Sequence, residues 1–200
     1  RNQKDDYGVE KFDFSVYNPE NFTSINGIYG NTVEEKVWFA FRSAGYSEEA
    51  TAGVMGNMYQ ESSFIPYNAN AAKGLEWSKQ YIENVDNGTI SREEFIRDGQ
   101  GFGLGGFTYS KLKGQIYDYA KSKNTSIGDA NTQIEMLLGW VNPEGGADGY
   151  ATYMMDQPMN GCSREAWMSA GTPEEAAYQF CWIYEKCNPG EANMNIRQTK

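Results

Sequence analysis

Between residues 99 and 109 the chain reads Gly99-Gln100-Gly101-Phe102-Gly103-Leu104-Gly105-Gly106-Phe107-Thr108-Tyr109. This run is too rich in glycine for a helix, because each interior glycine costs roughly 1 kcal/mol relative to alanine. It reads as a tight β-hairpin or strand lining a groove, where backbone comes close to another group. Helix signals lie on both sides of it. The sequence therefore predicts an α+β fold that is mostly α-helical, with one small β-hairpin or sheet flanking a groove.

The helix signals are of the start-and-stop kind. Thr32 and Glu35 form a capping box, and Val33, Val37, Phe41 and Ala44 follow at helical spacing until Gly45 ends the element. Ser47 caps a second helix, with Glu48 and Glu49 in its first turn, that runs to Gln60 or Glu61 before Ser62-Ser63-Phe64-Ile65-Pro66. Residues 67–98 are charged and mixed, with helical fragments at Leu75 to Ile82 and Arg92 to Arg97. Helices resume at Leu112 to Lys123 and Thr132 to Val141, and Gly145, Gly146 and Gly149 mark a loop. A short helix is expected at Ser163 to Ser169. The last one starts at Thr172-Pro173-Glu174-Glu175, with Pro at the first helical position, and continues through Phe180 and Tyr184. Residues 1–30 carry no sustained period and read as an irregular arm on a single domain spanning 31–200. The first residue is Arg1, and Ile196 to Lys200 look like the start of an element, so a piece of a longer protein is expected.

Charge and composition exclude several chemistries. The net charge is -10, and the 17 basic residues form no run, which argues against nucleic acid. No stretch of 18 apolar residues is present, so membrane insertion is not expected. With 0 His, Ser-His-Asp and Cys-His machinery is impossible and the commonest zinc ligand is missing. Cys162, Cys181 and Cys187 lack Cys-x-x-Cys spacing. One disulfide plus a free thiol, and no disulfide at all, are both compatible with them. No metal or organic cofactor is expected, and acid and base work falls to Asp, Glu, Lys or Tyr.

Among the carboxylates, Glu61 is placed unusually. Val54, Met58 and Glu61 share one face of the second helix, at i, i+4 and i+7. Val54 and Met58 look core-facing, so Glu61 belongs at the core's edge. Desolvation and the carbonyl end of the helix both favour its neutral, proton-bearing form. A glycosidase acid needs that form near neutral pH. A glutamate ending a helix is, on spacing alone, more often simply solvated.

The wider context is more specific. Gly53-Val54-Met55-Gly56-Asn57-Met58-Tyr59-Gln60-Glu61-Ser62-Ser63-Phe64-Ile65-Pro66 resembles the helix-end motif of the phage tail lysozyme family, which is related to goose-type lysozymes and soluble lytic transglycosylases. Gly101-Phe102-Gly103-Leu104 with Phe107-Thr108 resembles the family's second block. Phe180 with Tyr184-Glu185-Lys186, then Arg197, resembles its closing block. The blocks stand in family order from about Val33 to Arg197. The resemblance implies a lysozyme-like fold and a Glu61 that protonates the glycosidic oxygen between N-acetylmuramic acid and N-acetylglucosamine. It also implies that the glycine-rich block is part of a small sheet beside the glycan groove. Two positions depart from the pattern: Gly106 stands where the family usually has Gln, and Phe107 where it has Trp.

Hydrolysis by two carboxyl groups needs a second group opposite Glu61. Asp98, just before the glycine run, is the candidate base, with Thr108 holding the water; Asp98 starting a turn is the equal alternative. Glu76, Glu83, Glu93 and Glu94 read as solvated faces. With no acid facing Glu61, a lytic transglycosylase route with 1,6-anhydro products follows instead. Tyr59, Gln60, Gly103, Phe107, Tyr109 and Tyr184 are candidate substrate contacts, since aromatic faces pack on pyranose rings. Trp140 and Phe102 read more readily as core. The expected partner is the peptidoglycan glycan strand, cleaved by a muramidase. A lysozyme-shaped module that binds glycan or a protein partner without cleaving is the reading from a different class. The resemblance further implies a secreted, wall-associated or phage or conjugation-particle setting, and a C-terminal peptidase module in the parent chain.

Overall fold

The computed structural model describes residues 28–70, 72–141, 158–187 and 197–198, together with the backbone of two short strands in the arm. Those strands, Gln3–Lys4 and Glu10–Lys11, pair antiparallel as β1 and β2. The rest is helical. In order come α1 (Val33–Ser43), α2 (Glu48–Ser62), α3 (Leu75–Asp86), α4 (Arg92–Arg97), α5 (Ser110–Ser122) and α6 (Ala130–Val141). Then follow α7 (Arg164–Met168), α8 (Pro173–Phe180) and a π-helical turn over Cys181–Glu185. The loop expected at Gly145, Gly146 and Gly149 lies outside the described residues.

Local chemistry sets most of the boundaries. Thr32 and Glu35 close a reciprocal capping box on α1. The hydroxyl of Ser47 accepts from Ala50 N at 3.0 Å to start α2. Ser91 and Glu94 box α4 in the same way. The Asp129 carboxylate accepts from Thr132 N at 2.8 Å, which begins α6 two residues earlier than its apolar pattern suggested. α3 runs four residues past Ile82, because Tyr81, Ile82 and Val85 continue one buried face. The last helix does not stay α-helical to Tyr184. It widens to π geometry at Cys181, where Cys181 and Cys187 form a disulfide and Cys187 N donates to Cys181 O at 3.2 Å. Cys162 is free and buried.

The core forms around α2, which is why its residues are buried on several sides: Thr51, Val54, Asn57 and Met58 are all sealed from solvent. α8 packs along it, held by Asn57 Nδ2 donating to Ala177 O at 3.1 Å. The indole of Trp167 donates to Ala50 O at 3.1 Å and anchors α7 to the start of α2.

The glycine-rich run corrects one expectation. It does turn back on itself, with Phe102 N donating to Phe107 O at 3.2 Å and Phe107 N to Phe102 O at 2.7 Å. These bonds make a single antiparallel bridge, and no ladder extends from it among the described residues. The reason is tertiary. Gly103 N is spent on Asn68 O at 2.8 Å and Leu104 N on the buried Gln133 side chain at 2.9 Å, so the backbone pairs with loop and helix groups rather than with a third strand. Phe95, Phe102, Phe107 and Trp140 carry the turn from beneath as edge-on ring pairs with centroids 5.2 to 5.8 Å apart.

Candidate active site

α2 ends on a left-handed cap. Ser63 sits at φ 50° and Phe64 at φ 59°, so the chain turns away sharply after Ser62. The Ser62 hydroxyl bridges Met58 O at 3.0 Å and Leu104 O at 3.1 Å, fixing the helix end to the glycine turn. Glu61 is thereby held one residue before a rigid corner, with its side chain 27% exposed. Val54 and Met58 are buried on the same face, as their spacing requires.

The Glu61 carboxylate faces a cavity of about 360 Å³. One wall is the glycine turn and the head of α5: Gly105, Gly106, Phe107, Thr108, Tyr109 and Leu112. The other wall is the π turn and the C-terminal segment: Tyr184, Glu185, Cys187 and Arg197. Arg197 Nη2 meets Glu61 Oε1 at 2.5 Å, while its Nη1 donates to Asn57 Oδ1 at 2.6 Å. Asn57 spends its own amide on Gly53 O and Ala177 O, so its carbonyl is aimed at the guanidinium. A Cβ on Gly56 would run into the Arg197 carbonyl oxygen, so glycine at 56 allows this segment to lie on α2.

Gly106 also touches the acid. It sits at φ 56°, and a Cβ there would lie 2.7 Å from Glu61 Oε2. The departure from the family's Gln is therefore matched to this geometry: the turn uses bare backbone against the carboxylate. Phe107, the second departure, lines the cavity but is buried beneath the turn, edge-on to Trp140.

Sequence-selected residues divide into two groups. Thr108, Phe107, Tyr109 and Tyr184 come to the cavity with Glu61. Thr108 donates its hydroxyl to Gly106 O at 2.8 Å, and Tyr109 is exposed. Tyr184 stacks on Phe180 at 4.9 Å and is 9% exposed; among the described residues its hydroxyl has no hydrogen-bond partner. Burial pushes that hydroxyl well above its usual range, so it stays a proton donor.

Asp98, Tyr59, Gln60 and Gly103 are not brought there. The Asp98 carboxylate accepts from Tyr81 at 2.6 Å, from Gln100 N at 2.8 Å and from Lys113 Nζ at 2.5 Å. Lys113 is fully buried, and burial pulls its ammonium below the usual lysine range while the Asp98 bond draws it back. Asp98 thus neutralises a lysine under α4 and α5. Tyr59 lies 6.3 Å from the Phe64 ring on the outer turn of α2, and the Gly103 amide is consumed by Asn68. Trp140 and Phe102 are core, as their nonfunctional alternatives had it.

Sequence reasoning did not select Glu185 and Arg197 as site residues, although both stand in the closing block. Their distances from Glu61 along the chain carry no periodic signal. Burial pushes the Glu185 carboxyl well above the usual carboxylate range; the nearby Glu61 charge adds to this, and Arg197 opposes both. No group of three or more Cys, Asp or Glu side chains converges to hold a metal among the described residues. Among the same residues no helix is long and apolar enough to cross a membrane.

A glutamate near the end of a buried helix thus meets a glycine turn, and a second carboxyl, Glu185, lines the same cavity. The family model for phage tail lysozyme matches residues 32–200, and the chain belongs to that family. In general terms it is thus a lysozyme-like, peptidoglycan-degrading enzyme. A search of curated proteins returns no match.

Proposed function

We propose that the protein is a muramidase that hydrolyses the β-1,4 bond between N-acetylmuramic acid and N-acetylglucosamine, with Glu61 as general acid. The observation that carries this reading is the fixed placement of Glu61, pinned between the Ser62 tether and Arg197 at the mouth of a sugar-sized cavity. The cavity wall supplies what a neutral glycan requires: the exposed Tyr109 ring, the Thr108 side chain and the backbone of Gly105 and Gly106. The family fits a component of a phage particle, and a peptidoglycan strand is the expected partner there.

Hydrolysis is favoured over internal attack by the sugar's own hydroxyl because a second carboxyl, Glu185, shares the cavity. The test is mass spectrometry of muropeptides released from purified peptidoglycan by the wild type and by Glu61→Gln. Reducing muramic-acid ends made by the wild type alone are expected. Ends carrying a 1,6-anhydro bridge would assign a lytic transglycosylase. No release from several wall types would leave a binding module.

A further inference from the structure

The cavity holds two carboxyl groups, Glu61 and Glu185, against the single guanidinium of Arg197. Arg197 is committed: one nitrogen is on Glu61 and another on Asn57, inside a side chain only 5% exposed. Two ionised carboxylates in a shared, poorly solvated space repel each other, and one cation cannot offset both. A proton on one of them removes the conflict. The cation decides which: Glu61 is paired, so the proton belongs on Glu185.

We propose, resting on the muramidase reading above, that Glu185 is the second carboxyl of the reaction and holds the proton that Glu61 delivers. In the resting site Glu61 is ionised on Arg197 and Glu185 is protonated. During cleavage one proton passes from Glu185 to Glu61 and from Glu61 to the glycosidic oxygen. The bond between C1 and that oxygen breaks, and its electron pair stays on the leaving sugar. Glu185, now a carboxylate, takes a proton from the incoming water as the water oxygen bonds to C1. The pair ends with one proton, as it began, and one water is consumed per bond.

The surrounding groups agree with this assignment. Among the described residues, the ionisable groups that line the cavity with Glu185 are Glu61 from α2, Arg197 from the C-terminal segment, Tyr109 at the head of α5, and Tyr184 on its own turn, whereas Lys186, next along the chain, is not part of the lining. Desolvation dominates, and Glu61 adds to it. The π turn and the Cys181–Cys187 disulfide hold Glu185 on the cavity wall, because the bridge closes just two residues beyond it.

The test combines a pH–rate profile with a carboxyl titration on the 200-residue chain. Glu185→Gln keeps the shape and the neutrality of the resting carboxyl, so a merely structural role predicts wild-type rates. The proposal predicts a kcat lower by about 100-fold, the usual size of a lost general acid–base contribution. KM should stay within a few-fold, and Glu185→Asp should recover part of the rate. In the second measurement, ¹³C-carboxyl spectra of glutamate-labelled protein follow Glu185 in the wild type and in Glu61→Gln. Its titration should move to lower pH in the variant, where the like charge is gone and Arg197 is released. An active wild type with unchanged kcat and pH profile in Glu185→Gln overturns the proposal and leaves the muramidase reading standing. A titration of Glu185 indifferent to Glu61→Gln also overturns it. A wild type that releases no muropeptides overturns the muramidase reading itself, and the catalytic role of the pair with it.

Discussion

Replacing Gly106 by alanine should damage the enzyme twice, through two separable causes. The backbone at 106 is left-handed, at φ 56°, and an L-residue there costs about 1–2 kcal/mol. The new methyl would also lie 2.7 Å from Glu61 Oε2, where ordinary contact begins at 3.4 Å, so the carboxylate must move by the difference, 3.4 − 2.7 = 0.7 Å. A carboxylate is the movable end of a side chain, so the steric cost in stability is small. The cost in function is not, because the movement strains a 2.5 Å pair with Arg197 and misplaces the acid. A misplacement near 1 Å can cost about 100-fold in rate, so a loss of about 10- to 100-fold in kcat is expected. Urea denaturation should show a midpoint lowered by about 0.5–1 M, from slopes of ~1–3 kcal/mol per molar. Gly99→Ala is the matched control: its φ is 67°, and a Cβ there meets nothing within 4 Å. It should lose similar stability while keeping the rate per folded molecule. Equal rates for the two variants would refute the claim that the turn backbone positions Glu61, and an unshifted midpoint for both would refute the left-handed requirement.

Three further outcomes follow from the same geometry. Asp98→Asn should lower stability by about 1–3 kcal/mol, because Lys113 is left buried without its anion, and should leave muropeptide release per folded molecule unchanged; a rate loss of 100-fold at wild-type stability would instead restore Asp98 as a base. Stability should fall as pH rises above 4.5, the ordinary value for Glu185, because the native state keeps a proton there that the unfolded chain releases. The slope should approach about 1.4 kcal/mol per pH unit, and Glu185→Gln should flatten it, which urea midpoints measured from pH 4.5 to 8 will check. Reducing Cys181–Cys187 should cost about 2 kcal/mol by freeing a short loop, and should lower activity further because Glu185 and Cys187 stand on the cavity wall; full activity in reductant would contradict the second part.

The arrangement divides cleanly between what is local and what is not. Helix starts at Thr32, Ser47 and Thr172 were legible because a cap is made by residues three apart, and the Val54–Met58–Glu61 face was legible because helical periodicity is a property of neighbours. The glycine run was legible as a turn for the same reason. Asp98 shows where local reading fails. Its nearness to the glycine block in sequence suggested the groove, yet its partners, Tyr81 and Lys113, come from helices on either side of it.

By itself, then, the sequence determined a mostly helical chain, a tight glycine turn and an acid at the end of a buried helix, all set by contacts within a few residues. Only the tertiary structure decided what faces that acid. Arg197 and Glu185 reach Glu61 across more than a hundred residues of chain, through the docking of α8 and the closing segment on α2. Such pairing leaves no period in the sequence because it is fixed by the packing of whole helices rather than by any repeat within one.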